Sequence, residues 1–65
     1  MYKVRTFGTD MRVFHLHEEL ERLDDQVNRF FADRPQARLI GVSDMPVTDE
    51  SGTTIGLLRV VAYEE

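Results

Sequence analysis

Apolar residues recur along this chain with two different periods, and each period predicts an element. From Leu16 to Asp33 the spacing is helical: Leu16, Leu20, Leu23, Val27 and Phe30 follow one another at alternating steps of four and three, and Phe31 extends that face at the last turn. Glu18 and Glu19 fall in the first turn, where the helix dipole favours carboxylates. Glu18/Arg22 and Asp25/Arg29 have the i,i+4 spacing of helical ion pairs. Pro35 marks the stop, because its ring and missing N–H oppose continuation.

Elsewhere the period is two. In Tyr2–Phe7, Tyr2, Val4 and Thr6 fall on one side, and Lys3, Arg5 and Phe7 on the other, as in a strand. "GTDMRVFH" follows as a connection, with Met11, Val13 and Phe14 expected to fold back over the core. A second strand is predicted at Leu39–Val42 within Ala37–Val47. There Gly41 marks a bulge or close contact, and Pro46 demands an edge position or one outside the ladder. "TDESG", Thr48–Gly52, reads as a turn, since Asp49 can accept from nearby backbone and Gly52 can take positive φ. The last strand, Thr53–Tyr63, is the most apolar.

These elements predict an α+β fold of order β-α-β-β, one domain over residues 1–65. The sheet is three-stranded and antiparallel in the order 1-3-2, with one helix packed on one face. The most apolar strand takes the centre. A single helix leaves the other face of that strand uncovered. Two rows compete for the helix. Gly56, Leu58, Val60 and Ala62 have small flanks that suit close helix approach. Ile55, Leu57, Arg59, Val61 and Tyr63 then form the outer row, a candidate interface with residue types common at interfaces. Periodicity yields rows without direction, so the reverse assignment stays open.

Composition sharpens the need for company. A chain of 65 residues buries only about 60% of its unfolded surface. It has no cysteine, so neither a disulfide nor a thiolate zinc site can help. Oligomerisation remains. The net charge of −4 disfavours a nucleic-acid backbone or an anionic membrane as partner. No signal-like apolar core opens the chain and no run reaches spanning length, so the expectation is cytoplasmic.

Candidate chemistry is sparse. His15 and His17 would share a metal only in extended chain, with Asp10 or Glu18 as a further ligand; in a helix they diverge. The helix carboxylates read as a solvated face, and the aromatic residues Tyr2, Phe7, Phe14 and Tyr63 as packing rather than stacking platforms. "SDMPVTDESG" lacks EF-hand spacing, and no cofactor is expected.

"YKVRTF", "LHEELERLDDQVNRFF" and the terminal apolar hairpin together resemble small sporulation-associated proteins, through Val4, Phe7, Leu20, Val27, Asn28 and Phe30. The resemblance implies a compact cytosolic accessory protein with no assigned reaction. The element order is also similar to that of dodecin, a flavin-binding assembly, but the tryptophan that stacks flavin there has no counterpart here. The tautomerase group uses an N-terminal proline, and residue 2 here is Tyr2. The expectation is therefore a non-enzymatic accessory or structural module that self-associates through its sheet or meets a small protein partner. The alternative is a small-ligand or metal-binding protein, or an enzyme, with its site at a subunit seam.

Overall fold

The computed structural model describes residues 1–65, the side chain of Val13 excepted. Strand β1 (Tyr2–Asp10) leads through a 3₁₀ turn, Val13–His15, into helix α1 (Leu16–Ala32). Strands β2 (Arg38–Thr48) and β3 (Thr54–Glu64) complete the order β-α-β-β. The sheet runs β1-β3-β2, with β3 antiparallel to both neighbours. β1 continues through Gly8 to Asp10, past the predicted break at Gly8, because Gly8 to Asp10 keep pairing with Leu58 to Gly56. In β2 the register slips between Leu39 and Gly41, so the bulge falls where the glycine weakens the strand. Pro46 sits opposite Leu57 on the edge strand, the position that tolerates a missing donor.

The hairpin between β2 and β3 closes on Asp49. Its carboxylate accepts from the Ser51 N–H (2.9 Å), the Thr53 N–H (3.0 Å) and the Ser51 hydroxyl (2.7 Å). Gly52 takes φ +86°, a conformation that costs glycine nothing. These donors favour the charged carboxylate, and the Ser51 hydroxyl, with the Thr53 N–H next, holds the Asp49 pKa below its ordinary value.

The core is thin. Leu23 and Val61 are fully buried, and Phe7 and Tyr63 nearly so. Val27, Phe30, Phe31 and Leu57 pack around them. Phe30 meets Phe7, Phe31 and Tyr63 edge to face, with ring centroids 5.2 to 5.5 Å apart. Val61, Tyr63 and Leu57 thus face the helix. This reverses the predicted assignment: the Ile55/Leu57/Arg59/Val61/Tyr63 row lies on the helix side, and the Leu58/Val60/Ala62 row points away. The physical reason is aromatic. Phe7 pairs in register with Arg59, on the side of β1 that also carries Arg5, and it needs the Phe30 ring as its cover.

The buried stripe of α1 is also rotated from the apolar one. Glu19 is buried, whereas Leu16 and Leu20 remain exposed. Phe14 is 94% exposed rather than folded over the core, Met11 is half-buried, and the expected packing of Val13 lies outside the described residues. Every residue of β2 is exposed, so the helix covers the β1–β3 side of the sheet and leaves β2 uncovered. No helix is long and apolar enough to cross a membrane.

Candidate functional site

Antiparallel register fixes which side chains share the face opposite the helix. Val60 at its centre is flanked by Thr6 and Ser43. One step along lie Val4, Ala62 and Gly41; the step on the other side brings Gly8, Leu58 and Met45. No charged side chain stands in this interior. Charge returns only at the ends, with the Arg38–Glu64 pair (3.0 Å) at one and Asp10 at the other. Val4 is 67% exposed and Met45 57%. The relief is low. A Cβ on Gly8 would stand 3.1 Å from Leu58 Cδ2, so the glycine lets the leucine lie across the β1–β3 seam.

The covered side is the more polar one. Arg59 reaches Asp44 with two hydrogen bonds, Nε–Oδ1 at 2.8 Å and Nη2–Oδ2 at 3.1 Å, and Nη1 donates to Asp24 of α1. The network ties β3, β2 and the helix together. Hydrogen bonding from Arg59 pulls the Asp44 pKa down; Asp44 first and Asp24 second push that of Arg59 up. At the other end, Arg12 Nη2 donates to Glu19 Oε1 at 3.0 Å, and Thr9 makes a long contact of 3.5 Å with Oε2. The Arg12 hydrogen bond lowers the Glu19 pKa against the opposing cost of burial. Glu19 is therefore a paired staple between the β1–α1 connection and the helix. Its location could be traced in the sequence only through the Arg12 seven residues before it.

The candidate interface row is thus mostly inside. Val61 and Tyr63 are buried, Leu57 is half-buried, Arg59 is held by its two aspartates, and Ile55 at the strand start remains exposed. His15 and His17 do not converge. His15 Nδ1 lies 3.1 Å from Glu18, and His17 Nε2 lies 2.9 Å from Glu21. Among the described residues, no three His, Cys, Asp or Glu side chains are grouped to hold a metal ion. The expected Glu18/Arg22 and Asp25/Arg29 pairs are absent from the ion pairs of the described residues. Glu18 turns to His15 instead.

No family model, curated protein or solved structure matches this chain. The geometry has to be read on its own terms. One chemically distinct surface is the uncharged sheet face. An antiparallel sheet with one face in water ordinarily carries polar residues there; this one carries Val4, Leu58, Val60, Ala62 and Met45, with Thr6 and Ser43 as its polar side chains and no charge in the interior.

Proposed function

We propose that the chain is a small, non-enzymatic accessory module of the cytosol that self-associates by stacking the uncharged faces of two sheets. One observation carries the reading: the interior of the outward face lacks charge, while charged side chains are sorted to the helix side and the ends. That is a trait of an interface, whose core is depleted of charge and whose rim is polar.

Size and shape support it. The chain exposes 4904 Å², whereas a folded monomer of its 7.6 kDa mass exposes about 4,300 Å². Its radius of gyration is 13.2 Å, against about 11 Å for a compact chain of this length. The molecule is a slab of 41 × 20 × 12 Å. A standard interface takes about 800 Å² from each partner. Two such sheets stack about 10 Å apart, with side chains interdigitating. A second copy suits this geometry because its face has the same uncharged centre, and the charged ends can avoid one another by a rotation of the pair. The resemblance to sporulation-associated proteins agrees with an accessory role.

Sedimentation equilibrium across micromolar concentrations tests the reading. The expected result is a mass of two or more subunits that falls on dilution. A mass of one subunit at every concentration contradicts it.

A further inference from the structure

A different surface carries a second inference. On the helix side, along the flank of α1 nearest β1, a groove of about 400 Å³ is lined by Arg5, Arg22, Arg29 and Arg34 around the Phe30 ring. Four of the eight basic residues of a chain with net charge −4 therefore gather at one place. Two carboxylates, Asp25 and Asp33, share the lining, so the groove is cationic within an acidic molecule.

Two of these arginines are laid on aromatic rings. Arg5 lies over Phe7 and Phe30 at 5.5 and 5.6 Å, and Arg34 lies over Phe30 at 4.1 Å. Stacking on a ring orients a guanidinium while its in-plane N–H donors stay free. Arg22 and Arg29 are two helical turns apart, on the same flank of α1 as Gln26, which donates to the Gly8 carbonyl and tethers that flank to β1. Among the described residues, Arg5, Arg22 and Arg29 make no ion pair within 4.0 Å and no side-chain hydrogen bond, while Arg34 has only a distant one, 3.8 Å from Glu65. Negative helix-dipole ends attract arginines, which accounts for Arg29 but not for Arg5 on the strand or Arg22 in mid-helix.

We infer that this groove binds a small ligand carrying two or more phosphate groups. Guanidinium forks match phosphate oxygens in pairs, and several of them acting together favour a polyanion over a single phosphate. The groove's limited volume and the negative charge of the rest of the chain select a compact ligand over a nucleic-acid backbone. The groove lies on the opposite side of the sheet from the uncharged face, so the inference stands or falls separately from self-association.

Inorganic pyrophosphate is the probe, titrated into the intact protein at fixed ionic strength of about 0.15 M. Isothermal calorimetry measures affinity, and amide chemical shifts locate the site; orthophosphate and sulfate serve as comparisons. The expected result is saturable binding of pyrophosphate, stronger than that of orthophosphate or sulfate, each with a single anionic centre, with shifts confined to Arg5–Phe7 and to residues 22–34. Arg22→Gln and Arg29→Gln, both at exposed positions, should each weaken binding roughly tenfold, as expected for the loss of a charge-assisted hydrogen bond, with circular dichroism unchanged. Non-saturable binding overturns the inference. So do shifts spread equally to Arg12 and Arg38, or an affinity indifferent to both substitutions.

Discussion

The two faces of this sheet reverse the ordinary arrangement. The side under the helix holds charges: Arg59 with Asp44 and Asp24, and Arg5 and Lys3 along β1. The side away from it holds none in its interior. Both sides have apolar residues, but only the helix side has aromatic rings in mutual contact, where Phe7, Phe30, Phe31 and Tyr63 assemble. The difference teaches that coverage here follows the rings rather than absence of charge. Guanidinium groups at the margins of the core are neutralised by carboxylates or laid on aromatic faces. The uncharged face has no such internal cover, and a second copy is the cover proposed for it.

The strongest way to break this comparison is to place a charge on the covered side. Val61→Lys puts an ammonium beside Leu23 with no carboxylate assigned to it. An uncompensated buried charge costs about 3–5 kcal/mol, comparable to the whole stability of a core this small. Circular dichroism should show an unfolded chain; a native spectrum would mean that Val61 does not face the helix. Leu23→Ala has the next largest effect. It leaves a cavity at the most buried point of α1 and should cost about 2–5 kcal/mol in urea denaturation. A midpoint unchanged by this substitution would place the core elsewhere.

Much of this was legible in the chain because it is local. The 3.6-residue stripe predicted α1 nearly to its ends, and Pro35 gave its stop. Asp49 and Gly52 specified the hairpin through their own backbone preferences. Strand order followed from one helix returning the chain and one hairpin. The direction of the rows in β3 was not legible, since a period of two is blind to which side is covered. Arg59 made its row look outward, but its partners come from β2 and α1, distant in sequence. Glu19 was hidden for a similar reason: a carboxylate reads as solvent-facing until Arg12 is seen beside it. The aromatic match of Phe7 with Phe30 and of Tyr63 with Phe31 was the available signal for the true direction.

Acid should separate the faces by a smaller step. Glu19, Asp44 and Asp49 have folded pKa values below their ordinary ones, through Arg12, Arg59 and the Ser51 hydroxyl respectively. Folded, they bind fewer protons than the unfolded chain near pH 4. Their contribution is complete above the ordinary carboxylate range of about 4 and is lost as pH falls through the depressed folded values. Urea midpoints should be level from neutral pH to slightly above that range and decline below it. A midpoint that rises on acidification would contradict the pairing.

The smallest effect on the fold, and the largest on assembly, belongs to Val60→Lys. Val60 neighbours Val61 in sequence but sits at the centre of the opposite face, between Thr6 and Ser43. In a lone chain the new ammonium extends into water; in a stacked pair it is buried without a partner. Light scattering during size-exclusion chromatography, run on the parent and Val60→Lys at equal concentration, tests the central claim most directly. The account predicts an assembled parent and a single-subunit variant with the parent's circular dichroism. An assembled Val60→Lys of unchanged mass would contradict it.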